Sequence, residues 1–128
     1  MNYEKIYKKI VDRAKNRIIE GYTEKHHIIP KCMGGEDTLD NIVTLTAREH
    51  FLVHRILCEI YPDNLKIKFA FVMMCNAKNS VQKRYIPSSK SFEEARKCML
   101  EINRELGKKK IGKKYPKISE SKKGYKLY

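Results

Sequence analysis

The sequence predicts an α+β protein in which a short β-hairpin and the helix after it are supported by further helices. Two observations favour this class, and a third favours a single domain. Apolar residues recur at three- and four-residue spacing over several long stretches, which is typical of amphipathic helices. Two short stretches with the length and composition of strands, 23–29 and 41–45, flank a loop with two glycines and fit an antiparallel pair. The length of 128 residues favours one domain, which we assign to residues 1–106.

Residues 2–20 are predicted to form the first helix because their apolar side chains fall on one face. These side chains are Tyr3, Ile6, Ile10, Ala14 and Ile18. Gly21 follows directly and is a natural helix stop. The pattern indicates an amphipathic helix that packs on the core.

A β-hairpin is predicted next. Its first strand covers residues 23–29 and is ended by Pro30, and its second strand covers residues 41–45. Residues 31–40, KCMGGEDTLD, are polar and contain two glycines, so we expect them to form the connecting loop.

The helix after the hairpin is predicted over residues 47–61, and Pro62 ends it. Thr46 and Glu49 have the spacing of a capping box, in which the Thr46 hydroxyl accepts from the Glu49 amide and the Glu49 carboxylate reaches back. His50 and His54 are four residues apart and therefore lie on one face of this helix.

Two further helices are predicted. Residues 64–79 are apolar enough to form a buried helix or a strand, and their length favours a helix. Residues 80–90 should form a loop. Residues 91–106 have apolar side chains at helical spacing and open with a second predicted capping box, Ser91 and Glu94.

The charge of the chain indicates an anionic polymer as partner. Twenty-eight basic residues against 15 acidic ones give a net charge of +13, and nucleic acid fits such a surface best. Residues 107–128 form a basic tail without apolar periodicity, which we expect to be flexible until it meets its partner. Its candidate DNA-binding residues are Lys108, Lys109, Lys110, Lys113, Lys114, Lys122 and Lys123.

A membrane location is not expected. No apolar stretch has the length of a transmembrane helix, and the N-terminus lacks the apolar segment of a signal peptide. The four scattered cysteines fit reduced thiols in the cytoplasm better than a disulfide framework or a cysteine-bound zinc.

The four histidines form two pairs that the hairpin and helix bring together. His26 and His27 are adjacent on a strand, so one can bind a metal ion while the other faces a substrate. His50 and His54 on one helical face can chelate a single ion. Three imidazoles with an open position favour a transition metal such as zinc or nickel over magnesium. Beside a basic surface, such a site suits phosphodiester hydrolysis, with the remaining neutral histidine taking a proton from water.

Two other interpretations stay open. The histidines can be structural, or they can hold a metal ion that only stabilises the fold. In the second case the protein is a non-catalytic nucleic-acid-binding module with a structural metal site. Unfolding on removal of the metal distinguishes such a site from a catalytic one.

The stretch from residue 24 to residue 57, EKHHIIPKCMGGEDTLDNIVTLTAREHFLVHRIL, resembles the motif of the HNH endonucleases, and specifically of phage and homing-type members. The segment SSKSFEEAR, residues 88–96, is also similar to this group. The resemblance implies a ββα-metal (His-Me finger) core over residues 22–61. It also implies a metal-dependent DNA endonuclease that leaves 5′-phosphate and 3′-hydroxyl ends.

The resemblance also implies roles for single residues. His27 matches the general base that activates water, and Asn41 matches the central asparagine that braces the loop. His26 matches the metal ligand before the base, and His50 and His54 match the helix positions that complete the site. The metal would be divalent, Zn, Ni, Mn or Mg, and the all-histidine set favours a transition metal.

The expected partner is double-stranded DNA. Lys25, Lys31, Arg48 and Arg55 flank the proposed site and are candidates for phosphate contacts, although each is more often a solvated charge. The ISESKKG stretch in the tail is similar to small DNA-binding segments that follow homing nuclease domains. A phage-encoded protein of this kind would act in the host cytoplasm. A bacteriocin-like toxin nuclease is a third interpretation. Target sequence, nicking or double-strand cleavage, and oligomeric state stay open.

Overall fold

The computed structural model describes residues 1–76 and 87–111, the last three of them by backbone alone. Within these ranges the chain forms two strands and four α-helices, with two short 3-10 turns in the hairpin loop. The order is α1 Tyr3–Lys15, β1 Glu24–His27, β2 Ile42–Leu45, α2 Ala47–Ile60, α3 Leu65–Asn76 and α4 Ser89–Ile111. The predicted α+β class, with a hairpin–helix core and supporting helices, is confirmed.

The hairpin sorts its side chains onto two faces. β1 and β2 pair antiparallel, with Glu24 opposite Leu45 and His26 opposite Val43. These four residues are buried, whereas Lys25 on the other face is exposed. Because strand side chains alternate, a glutamate and a histidine are thereby buried beneath the hairpin.

Helix α2 begins with the predicted capping box. The Glu49 amide donates to the Thr46 hydroxyl at 3.1 Å, and the Thr46 amide donates to the Glu49 carboxylate at 3.0 Å. Arg13 and Arg17 also donate to Glu49, which ties α2 to the end of α1. Burial alone would raise the pKa of Glu49, but the hydrogen bonds from Arg17 and Thr46 outweigh it and lower the pKa to about 2.

Two apolar clusters hold the helices together, and α2 contributes to both. The first cluster joins α1, the hairpin and one face of α2; its buried members are Ile10, Val11, Ala14, Val43, Leu45, Val53 and Ile56. The second joins α3, α4 and another face of α2; its buried members are Phe51, Phe71, Val72, Cys75 and Ala95. Arg55 of α2 also donates to Glu94 of α4 through two hydrogen bonds of 2.8 and 2.6 Å.

The helix ends differ from several predictions. The first helix stops at Lys15 rather than at residue 20, because Asn16 caps it: its side-chain amide donates to the Asp12 carbonyl and its backbone amide to the Arg13 carbonyl. Gly21, with φ of +97°, lies in the connection that follows.

The limits of the last helix were also predicted wrongly. Ser88 is the residue whose hydroxyl accepts from a first-turn amide, that of Ser91, so α4 begins at Ser89 and the predicted capping box at Ser91 is wrong. The helix continues to Ile111, past the predicted end at residue 106. The assignment of residues 107–128 as a separate basic tail stays a prediction.

The apolar stretch after Pro62 is a helix, as its length indicated. Asn64 starts α3, because its side-chain oxygen accepts from the amides of Lys66 and Ile67. The predicted loop at residues 80–90 lies mostly outside the described residues. All four cysteines are free thiols. In the described part of the chain, no helix is both long and apolar enough to cross a membrane.

Candidate metal centre

Three histidines converge between the hairpin and α2. One ring nitrogen from each of His26, His50 and His54 lies within 4.8 Å of the other two. His50 Nε2 and His54 Nε2 are 3.1 Å apart, and the His26 ring lies 5.3 Å from each of the other two rings, measured between centroids. The i, i+4 spacing on α2 and the buried face of β1 are therefore sufficient to assemble the triad.

Glu24 orients His50. Its carboxylate oxygen Oε1 lies 2.7 Å from His50 Nδ1, and its other oxygen accepts from the Tyr22 hydroxyl. Glu24 and His26 are two positions apart on β1, so both point inward toward α2. The carboxylate accepts from Nδ1–H, which directs His50 Nε2 toward His54.

Tyr7 of α1 contacts His26. The hydroxyl oxygen lies 2.7 Å from His26 Nε2 and 2.7 Å from the carbonyl oxygen of Ile28. Burial raises the pKa of Tyr7 well above its ordinary value, with a smaller contribution from Tyr61, so the hydroxyl keeps its proton.

The environment keeps two members of the triad, His26 and His54, neutral. Burial is the main cause that lowers the pKa of His26 to about 2, with further repulsion from His54, His50 and His27. Burial and then repulsion from His50 lower the pKa of His54 to about 3. Neutral imidazoles offer lone pairs, which a divalent cation needs.

The donor set fits a metal ion. Two Nε2 atoms 3.1 Å apart cannot both donate to each other, and His54 Nδ1 is buried without a hydrogen-bond partner in the part of the chain that the structure describes. Burying such polar atoms is unfavourable unless something binds them. A cation bound to one nitrogen of each ring would use the lone pairs that converge there, and three nitrogen ligands suit a transition metal.

His27 lies on the other face of β1, where 29% of its side chain is exposed. Its Nε2 atom is 2.5 Å from Asp37 Oδ1, and Lys31 donates to Asp37 Oδ2 at 3.2 Å. Hydrogen bonds from His27 and then Lys31 lower the pKa of Asp37. Its ionised carboxylate therefore accepts a hydrogen bond from His27 Nε2–H.

Asn41 ties the two ends of the hairpin loop together. Its side-chain oxygen accepts from the Ile29 amide at 2.9 Å. Its side-chain amide donates to the carbonyl oxygens of Ile29 at 3.2 Å and Glu36 at 2.9 Å. Gly35 packs directly against this contact and donates its amide to the Pro30 carbonyl at 3.0 Å. The asparagine thus holds the loop that carries Asp37.

All four histidines line one cleft of about 390 Å³. Its walls are β1 and the loop after it, α2, and the start of α3. Lys25 and Lys31 lie at the cleft, as predicted, together with Lys66 of α3, which the sequence did not indicate.

The other predicted basic residues lie elsewhere or outside the described residues. Arg48 is exposed at the start of α2, and Arg55 is held by Glu94. Lys108 pairs with Glu105 on the surface of α4, and Lys109 and Lys110 lie in the last turn of that helix. The side chains of Lys109 and Lys110, and all of Lys113, Lys114, Lys122 and Lys123, lie outside the described residues.

Four residues beside the histidines were not predicted: Tyr7, Tyr22, Glu24 and Asp37. The position of Glu24 could have been predicted, because strand alternation places it on the same face as His26. The positions of the other three could not have been predicted in this way. Their contacts depend on how α1 packs and how the loop closes, which local patterns do not determine.

A β-hairpin and helix that enclose a histidine triad, with a further histidine in the same cleft, have the arrangement of a ββα-metal core. A family model described as HNH endonuclease matches residues 13–50, which include three of the histidines and Asn41. The chain belongs to the HNH endonuclease family, and it is a nuclease. This membership supports the catalytic interpretation over a non-catalytic binding module.

Curated relatives of this chain come from a bacteriophage. It is 51% identical over 98 residues to "Probable mobile endonuclease E" of Enterobacteria phage T4, covering 76% of this chain and 69% of that protein. It is 36% identical over 109 residues to "Probable mobile endonuclease D" of the same phage, covering 80% and 42%. The chain therefore spans more than two thirds of the first relative and less than half of the second. No solved structure matches this chain.

Proposed function

We propose that this protein is a divalent-metal-dependent endonuclease that hydrolyses phosphodiester bonds in double-stranded DNA. The observation that carries the proposal is the cleft in which three histidines converge and a fourth, differently held histidine faces the same space. Family membership supplies the reaction class, and the geometry supports a role for each side chain.

His26, His50 and His54 would hold the metal ion, and Glu24 would orient His50. We propose a transition metal, because three imidazole nitrogens suit zinc or nickel better than magnesium. When bound, the ion supplies positive charge that stabilises the scissile phosphate and the leaving oxygen.

His27 would act as the general base. Asp37 accepts from His27 Nε2–H, so the lone pair of His27 lies on Nδ1, where it can take a proton from the attacking water. Attack by water on phosphorus would leave a 5′-phosphate and a 3′-hydroxyl. Asn41 would keep the loop, and with it Asp37, in place during the reaction.

The cleft lysines would bind the DNA backbone. Lys25, Lys31 and Lys66 stand on different walls of the cleft and can contact phosphates on either side of the scissile bond. The names of the phage relatives support a homing-type role in the host cytoplasm. The basic segment after α4 would add sequence-independent affinity.

A plasmid assay tests the proposal. Supercoiled plasmid is incubated with protein and EDTA, or with magnesium, manganese, nickel or zinc in turn, and relaxation is followed on a gel. Wild type is compared with His27→Ala and with Thr44→Ala, a matched change at an exposed position of the same hairpin. We expect metal-dependent cutting that His27→Ala abolishes and Thr44→Ala preserves, with product ends that ligate without repair.

Two results would refute the assignment. Equal cutting by wild type and His27→Ala would exclude His27 as the base. Tight DNA binding without cutting in any metal would exclude metal-dependent hydrolysis by this chain.

A further inference from the structure

Tyr7 lies outside the segment that matches the HNH family, yet it contacts a histidine of the candidate metal site. It stands on α1, and its ring packs against the first apolar cluster. His26, its partner, is 3% exposed. The contact between them is therefore shielded from water, and the hydroxyl has little freedom to exchange partners.

The hydrogen bonds around Tyr7 have one consistent assignment. A tyrosine hydroxyl carries one hydrogen, and a backbone carbonyl oxygen can only accept, so the hydrogen points to Ile28. The hydroxyl oxygen must then accept from His26, whose Nε2 lies 2.7 Å away. His26 therefore carries its proton on Nε2. A neutral imidazole has one N–H, so the lone pair of His26 lies on Nδ1.

We propose that Tyr7 is a positioning residue of the metal site: it selects the tautomer of His26 that presents Nδ1 to the metal ion. The inference rests on the proposed metal site. A histidine that binds a metal commonly donates its other N–H to an acceptor, which fixes the ring and raises its basicity. Glu24 has this role toward His50, and the hydroxyl of Tyr7, anchored on a backbone carbonyl, has it toward His26.

The groups that hold the metal ion then extend beyond the family motif in this chain. The hairpin and α2 contribute the three ligands, but α1 contributes the group that orients one of them. Helix α1 is therefore part of the metal site as well as a packing element.

Metal affinity and ring tautomer are both measurable without DNA. Tyr7→Phe removes the hydroxyl and keeps the ring in the apolar cluster. Tyr3→Phe is the matched control, since Tyr3 lies one turn earlier on α1 and packs against the same cluster. Cobalt(II) binding is titrated by visible absorption in competition with a chelator. Nitrogen-15 NMR of the histidine rings reports which nitrogen of His26 carries the proton in the metal-free protein.

We expect Tyr7→Phe to weaken cobalt binding by about 10- to 100-fold, and Tyr3→Phe to leave it within about twofold. We also expect the wild-type protein to show the proton of His26 on Nε2 at neutral pH. In Tyr7→Phe the His26 signals should change to those of a mixture of tautomers.

Three results would overturn the inference. One is that wild type binds cobalt tightly and Tyr7→Phe binds it with the same affinity. Another is a wild-type His26 with its proton on Nδ1, a measurement that does not depend on how well any variant folds. The third is the absence of cobalt binding by wild type, which would overturn the metal site itself and is thereby distinguishable from the first two.

Discussion

Replacing Gly35 by alanine should strongly reduce the rate of DNA cutting and change metal affinity much less. A Cβ atom at this position would lie 1.8 Å from the carbonyl oxygen of Ile29 and 2.9 Å from the side-chain nitrogen of Asn41. Since Cβ contacts under 3.0 Å are essentially never found, the loop or the backbone of Ile29 has to move by more than about 1 Å. The atoms in the way are mostly backbone, so a change of rotamer cannot relieve the clash.

The displacement should reach the proposed base. Ile29 is two residues after His27, and its carbonyl oxygen accepts from Asn41. A misplacement of about 1 Å in a catalytic group can reduce the rate by about 100-fold, and we expect a loss of this size in the plasmid-cutting rate at saturating metal. Cobalt affinity should change by less than about tenfold, because two of the three ligands lie on α2.

Gly34→Ala is the matched control. Gly34 has a φ of +94°, and no atom of the described residues lies within 4 Å of the point that an alanine Cβ would occupy, so alanine there is strained but does not clash. It should lower the free energy of unfolding by about 1–2 kcal/mol and leave cutting nearly intact well below the melting temperature. Full activity of Gly35→Ala, or equal losses for the two variants, would refute the reasoning.

Three other predictions concern the loop, pH and the basic segment. Asn41→Asp replaces a donor by an oxygen that repels two backbone carbonyls, and should lower stability by about 2–3 kcal/mol in urea unfolding and reduce cutting. Metal-free protein should be most stable above about pH 6.5. Its free energy of unfolding should fall by up to roughly 1.4 kcal/mol per pH unit per histidine as the pH falls toward 4. The reason is that the pKa values of His26 and His54 are lowered only in the folded state. Removing residues 112–128 should make DNA binding less dependent on salt. If five lysines of this segment contact phosphates, the slope of log Kd against log salt concentration should fall by about 4–5.

Each of these has a result that would contradict it. Wild-type stability and activity in Asn41→Asp would show that the loop does not depend on its amide. A pH profile in EDTA that is flat between 6.5 and 4, or unchanged by His54→Gln, would refute the origin assigned to the slope. Equal salt slopes with and without residues 112–128 would exclude phosphate contacts by that segment.

The parts of the fold that were predicted correctly are those that depend on residues close together in the sequence. The hairpin and the capping box of α2 follow from residues that are close in sequence, and both are present, although the first strand covers Glu24–His27 rather than residues 23–29. The end of α1 was missed because Asn16 caps the helix five residues before Gly21. The start of α4 was predicted wrongly because more than one serine can cap a helix there. The structure has Ser88 as the cap, since its hydroxyl accepts from the Ser91 amide.

The candidate site was predictable to the extent that its spacing is regular. The i, i+4 pair on α2 and the strand alternation at His26 are sufficient to bring the three rings together. The groups that orient the rings come from elsewhere: Tyr7 is 19 residues before His26, and Asp37 is 10 residues after His27. Such contacts depend on tertiary packing, which a single sequence does not encode in a local pattern.

The sharing of α2 between two apolar clusters has an evolutionary consequence. One cluster, with α1 and the hairpin, contains Val43, which lies opposite His26, and Val53, which precedes His54; the other joins α3 and α4 to α2. Helix α3 also supplies Lys66 and Ala70 to the outer wall of the cleft. Sequence changes at Lys66 or Ala70 would therefore alter the wall of the cleft without replacing any of the four histidines. In this architecture, the outer helices and the four histidines lie on separate elements, so the sequence of one part can change while the other is kept.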